Sequence, residues 1–133
     1  MKIADFRLQI GSMNPTELKN RTKEFALRIL KLVSALPNTI AGRAVGNQVV
    51  RSGTSVAANY RATCRARSKA EFVAKIGVVL EEVDETLLWL ELVSESRMLP
   101  PKRVEPLLIE ANELVAIMVT SRQSAAFNLK SAI

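Results

Sequence analysis

Leu18, Thr22, Phe25, Ile29, Leu32 and Leu36 recur at 4-3-4-3-4 spacing. Such spacing returns each side chain to one face of a helix and cannot be read as the alternation of a strand. The limits of this helix are marked. Asn14 can cap it, Pro15 suits its first position, Glu17 stands at the third, and Pro37 ends it. A second stripe, Phe72, Ile76, Val79, Val83, Leu87 and Leu90, follows the capping-box sequence Ser68-Lys69-Ala70-Glu71. Pro100-Pro101 then breaks the chain, and Val104, Leu107 or Leu108, Ala111, Leu114, Met118 and Ser121 carry a further stripe, starting there or near Pro106. After about Gln123 this pattern fades into a Ser/Ala-rich tail.

Between Pro37 and the Arg65-Ala66-Arg67 connection lies one more helix, capped by Asn38 or Thr39. On a wheel, Val45, Gly46, Val49, Gly53, Val56, Ala57, Tyr60 and Cys64 form a broad arc of small and apolar residues. Arg43, Asn47, Arg51, Thr54, Arg61 and Arg65 form the opposite arc. Gly42, Gly46 and Gly53 would each cost about 1 kcal/mol relative to alanine in a helix interior, so close approach of another helix is expected to offset them. Four long helices with short connections pack as antiparallel neighbours, an all-α up-and-down four-helix bundle over residues 14–122, with an arm at 1–13 and a tail at 123–133. In the arm, Ile3, Phe6, Leu8 and Ile10 give only a weak period-two pattern.

Composition narrows the chemistry. The 133 residues fit one domain and include no histidine. That removes Ser-His-Asp triads, Cys-His dyads and histidine-based metal sites, so the chain is expected to be no enzyme and to hold no metal or cofactor. Its one cysteine, Cys64, cannot form an internal disulfide. With no long apolar run, no secretory signal or membrane span is expected, and a cytoplasmic location is.

The net charge of +6 is unevenly spread. Residues 40–75 carry seven basic groups and one acid, whereas residues 81–95 carry six acids and no base. In a hairpin turning near residues 66–67, Arg51 lies level with Glu82, so Arg51 is expected to pair with Glu82 or Glu85 and to be at least partly buried. Arg61, Arg65, Arg67 and Lys69 have fewer acids in reach. They are the candidate free patch for an RNA or DNA backbone, because arginine forks bind phosphate bidentately. A plain solvated turn is the competing reading. No aromatics interleave with them in sequence, so base stacking is not indicated.

The third helix also carries apolar residues away from its main stripe: Val78, Leu88, Trp89 and Leu92, with Ala74. Another copy of the chain is the simplest cover for them, which makes a homo-oligomer the expectation. The nearby Glu81, Glu82, Asp84 and Glu85 read as a solvated or salt-bridged face rather than a magnesium site.

Arg51-Ser52-x-x-Ser55-Val56-x-x-Asn59, the Arg65-x-Arg67-Ser68 turn, Glu71-Phe72, and Glu82-x-x-Glu85 before Leu87 resemble the bacterial four helix bundle protein family. These are also called 23S rRNA intervening-sequence or S23 proteins. The resemblance spans about residues 15–122. It implies a left-handed bundle assembling as a ring-like homopentamer, without a catalytic residue set. The chain is also similar in fold to the accessory protein of diversity-generating retroelements, which binds nucleic acid and a reverse transcriptase. That likeness implies RNA, DNA, or a reverse transcriptase or other protein as partner. Two function classes follow: an accessory factor binding structured RNA or an RNA–protein complex, or a protein-interaction scaffold that touches no nucleic acid.

Overall fold

The computed structural model describes residues 13–131, with side chains through residue 126. The expected arm therefore lies outside the described residues except for Met13. Four helices and no strand are found among the described residues: α1 (Pro15–Val33), α2 (Ile40–Cys64), α3 (Lys69–Glu95) and α4 (Pro101–Ser131). Each consecutive pair packs side by side, and α1 meets α4 more sparsely.

Side chains start three of these helices. Asn14 Oδ1 accepts from Glu17 N at 2.9 Å, Thr39 Oγ1 from Gly42 N at 3.0 Å, and Ser68 Oγ from Glu71 N at 3.1 Å. Each bond satisfies an amide that the helix itself leaves unpaired. The box at Ser68 closes unconventionally, because Glu71 Oε2 accepts from the amide of Arg67 at 3.2 Å, one residue before the cap. The end of α3 is shaped by Arg97, whose φ of 60° places it in the left-handed region usually left to glycine. Met98 N then donates to Val93 O at 3.1 Å and Arg97 N to Ser94 O at 3.1 Å, a Schellman closure before Pro100.

The buried stripes are those of the sequence. Phe25, Ile29, Val49, Val56, Ile76, Val79, Val83, Leu90, Leu114 and Met118 are fully enclosed. Burial of each such side chain contributes about 1.5–3 kcal/mol before entropy is counted. Close approach explains the glycines. A Cβ on Gly53 would stand 2.8 Å from Cγ1 and 2.9 Å from Cγ2 of Ile29, so α1 and α2 touch there through a residue that has no side chain. Ile29 is β-branched and buried and cannot swing aside. At Gly42 the obstacle is not another helix but the carbonyl of Pro37, in the α1–α2 connection.

Polar residues also enter the core. Ser52 and Thr86 are fully buried, and their hydroxyls meet across α2 and α3 at 2.9 Å. Each hydroxyl also lies near a carbonyl of its own helix, Gln48 O at 3.0 Å and Glu82 O at 2.7 Å. Two protons serve these three contacts, so every arrangement leaves one bond between the helices or one bond back to a carbonyl unmade.

Of the two starts the sequence allowed, α4 takes the first, at Pro101, and carries Pro106 inside it. One boundary differs from expectation: α4 continues to Ser131, so residues 123–131 are helical where a tail was expected. The apolar stripe fades there, but Gln123, Ala125, Ala126, Leu129 and Lys130 are good helix formers and neither glycine nor proline interrupts them.

Candidate functional site

The turn between α2 and α3 sets the geometry of one end of the bundle. Arg61 lies in the last turn of α2, Arg65 is its C-terminal cap, and Lys69 opens α3. Ser68, in extended backbone at φ −152°, turns the chain. Because α1 and α2 run antiparallel, the first turns of α1 stand beside the last turns of α2. Two clefts result. One, of about 360 Å³, is lined by Thr16, Lys19 and Asn20 of α1 and by Arg61 and Arg65. The other, of about 560 Å³, has Lys19, Arg67, Ser68 and Lys69 on its rim and Leu18, Tyr60 and Phe72 among its walls.

The four basic residues of the candidate patch are thus divided, Arg61 and Arg65 on one cleft and Arg67 and Lys69 on the other. Lys19 lines both. All five are exposed. Among the described residues, no carboxylate forms an ion pair with any of them. The acids nearest in sequence have other partners: Glu17 accepts from Asn14 Nδ2 at 3.1 Å, and Glu71 holds the Arg67 amide and lies 3.8 Å from Lys75 Nζ. The starts of α1 and α3 bring the positive ends of two helix dipoles to the same region, and the end of α2 brings a negative one beside Arg61 and Arg65. Lys19 is the residue that the sequence reading missed. Its signal was available, since a helix starting at Pro15 and an antiparallel partner ending near residue 64 must bring their termini together.

The Tyr60 hydroxyl is pushed well above the usual phenol range, first by burial and then by the neighbouring Cys64, and so stays protonated. Cys64 is a free thiol, half-buried. Among the described residues, no group of three or more acids, cysteines or histidines could hold a metal ion.

Further along the bundle Arg21 and Arg51 are paired with acids, whereas Arg28, Arg43, Arg97, Arg103 and Arg122 have no carboxylate partner among the described residues. Arg51 Nη1 lies 3.5 Å from Glu82 Oε2, and its Nη2 contacts Glu85. The pair is covered only in part: the Arg51 side chain is 48% exposed. It stays on the outer arc of α2 and reaches along the surface to α3, while Ser52 takes the buried position beside it. The more enclosed pair is one that sequence reading missed. Arg21 Nε donates to Glu110 Oε2 at 2.8 Å and Nη2 to Glu110 Oε1 at 2.7 Å, with Glu113 at 3.6 Å. Their side chains are 20% and 14% exposed. The hydrogen bond to Glu110 raises the Arg21 pKa above its ordinary value despite burial, so the guanidinium is firmly charged. This fork joins α1 to α4, which meet more sparsely than the consecutive helices do.

On α3, Val78, Leu88 and Leu92 are 41%, 48% and 41% exposed. Trp89 differs from them. It is half-buried and packs on the bundle's own core, with its indole Nε1 shut off from solvent and without an acceptor. No helix is long and apolar enough to cross a membrane among the described residues.

Comparison with known proteins agrees with this architecture. A crystal structure of a protein of unknown function from the S23 ribosomal protein family of Bacteroides thetaiotaomicron superposes with a TM-score of 0.74 at 31% identity, covering 79% of this chain and 97% of that one. No curated protein matches. The family model described as "23S rRNA-intervening sequence protein" matches residues 15–120, nearly the whole of the four helices. The chain belongs to the 23S rRNA-intervening sequence protein family.

Proposed function

We propose that this chain is a non-catalytic accessory protein that holds the sugar–phosphate backbone of RNA or DNA at the α2–α3 end of the bundle. The observation that carries the reading is the absence of any acidic partner for Lys19, Arg61, Arg65, Arg67 and Lys69 among the described residues. Arg51 and Arg21, in the same fold, both have such partners. Five exposed cations on two adjoining clefts suit a flexible anionic chain better than a compact substrate.

The reading includes self-assembly, with a homopentamer as the proposed state. Along the outer side of α3, Ala74, Val78, Glu81, Glu85, Leu88 and Leu92 follow the same 4-3-4-3-4 spacing as the core stripe of α1. A helix with two such stripes is suited to packing on both sides. A ring of five subunits would gather about twenty-five such positive charges and raise avidity without any strong single contact. That exposed stripe also supports the second reading, a scaffold for another protein such as a reverse transcriptase, in which the charge serves solubility. A cytoplasmic location accompanies both.

Titration of a labelled single-stranded oligonucleotide at two salt concentrations separates the readings. Backbone binding predicts affinity that falls steeply with salt and is largely lost in the Arg61/Arg65/Arg67 triple alanine variant. Equal affinity of the two proteins, or no binding at low salt, removes this end as the site and leaves the scaffold. Light scattering tests assembly, and a stable monomer near 14.7 kDa at micromolar concentration contradicts it.

A further inference from the structure

The larger cleft differs in character from the basic surface around it. Its rim carries Lys19, Arg67 and Lys69, and among the described residues no carboxylate lines it. Its interior is mostly apolar, with Leu18, Tyr60 and Phe72 drawn from three different helices. Tyr60 is a buried floor, whereas Phe72 is only half-buried and belongs to the wall. At about 560 Å³ the space falls within the range of small-ligand sites. Phosphate binding alone needs no such recess, because phosphates are held at the surface. Sequence order concealed this arrangement: Tyr60 and Phe72 stand twelve residues apart, and only the turn between α2 and α3 brings them to one cavity.

We propose that this cleft receives an unpaired base of the nucleic acid, with the flanking phosphates on Arg67, Lys69 and Lys19. The inference rests on the backbone-binding reading and adds to it a preference for single strands. Bases in a duplex are paired and stacked and present only their edges, whereas an unpaired base has a free face to lay on an aromatic side chain. Charge complementarity selects the occupant, since the three cations on the rim demand an anion beside the apolar part. A nucleotide carries both features in one residue.

Cys64 lines the cleft and is the chain's only cysteine, so its alkylation reports occupancy at one place. The full chain is treated with iodoacetamide alone and with saturating oligothymidylate, an abasic strand of equal length, or a duplex. Binding of each strand is titrated in parallel. Oligothymidylate should protect Cys64 and bind at least about fivefold more tightly than the abasic strand, the lower end of what stacking one base on an aromatic contributes. The duplex should leave Cys64 as reactive as the abasic strand does. Phe72→Leu, which keeps an apolar wall, should abolish the preference while leaving abasic binding unchanged. Equal affinity and equal protection by oligothymidylate and the abasic strand would overturn the base site and leave backbone binding intact. No binding of any strand at low salt would overturn both. A Cys64 that resists alkylation in the free native chain would mean that the cleft is closed to small molecules, and would overturn the inference.

Discussion

Arginine serves this bundle in two ways, and the contrast lies between its flank and its end. On the flank, Arg21 is forked onto Glu110 and Arg51 lies across Glu82 and Glu85. At the end, Arg61, Arg65 and Arg67 have no acidic partner among the described residues. The six acids of residues 81–95 lie along α3 well past its first turn, so they reach the middle of α2 and not its last turn. Placement of acid along one helix thus divides a single arginine-rich stripe into a structural part and a vacant part. Charge totals alone would not reveal this division.

The largest effect is expected at the enclosed pair. Arg21→Ala leaves Glu110, only 14% exposed, with no fork to meet it, and should cost about 2 kcal/mol in urea unfolding, in the range for hydrogen bonds to charged groups. Arg21→Lys should recover part of this, because charge returns without the bidentate geometry. If Arg21→Ala unfolds at the native urea midpoint, the flank carries no structural arginine and the contrast collapses.

Alkaline pH probes the boundary between flank and end, where Tyr60 lies under the basic clefts. Its folded pKa is raised above the ordinary 10.0, so the folded state keeps a proton that the unfolded chain gives up. This contribution is fully present below pH 10.0 and is lost as pH rises toward the folded value. The slope approaches about 1.4 kcal/mol per pH unit. Tyr60→Phe should flatten that alkaline decline. An unchanged decline in the variant would mean that Tyr60 is ionised as freely in the fold as outside it.

The smallest stability effect belongs to Arg51. Exposed ion pairs are worth about 0–1 kcal/mol, so Arg51→Ala should shift the melting temperature little despite having two acidic neighbours. A loss comparable to that of Arg21→Ala would show that the Arg51 pair is buried in solution, as by assembly through α3.

These differences indicate what the sequence could convey. Local physics was legible: Asn14, Thr39 and Ser68 cap helices as their residue types and positions suggest, and the glycines of α2 mark close approach. The Arg51 partners were legible because a short hairpin fixes which residues stand level. Its exposure was not, since a wheel gives direction but not how far a neighbouring helix covers the arc. Arg21–Glu110 was hidden because it joins the first helix to the last across 89 residues, where no turn sets the register. Ser52 and Thr86 escaped notice because polar residues do not register in an apolar stripe, although each is fully buried. At the candidate site, the cations of the α2–α3 turn were readable, while Lys19 and the Tyr60–Phe72 cavity needed the third dimension.

The central claim is that the vacant arginines bind and the paired ones do not. The most direct test is the salt dependence of oligonucleotide affinity for the native chain, the Arg61/Arg65/Arg67 triple alanine variant and Arg51→Ala. Each phosphate contact contributes about 0.7 to the slope of log affinity against log salt on single strands. Arg51→Ala should keep the native slope, and the triple variant should lose about 2 from it. A triple variant with the native slope, or an Arg51→Ala slope as shallow as the triple variant's, would contradict the claim.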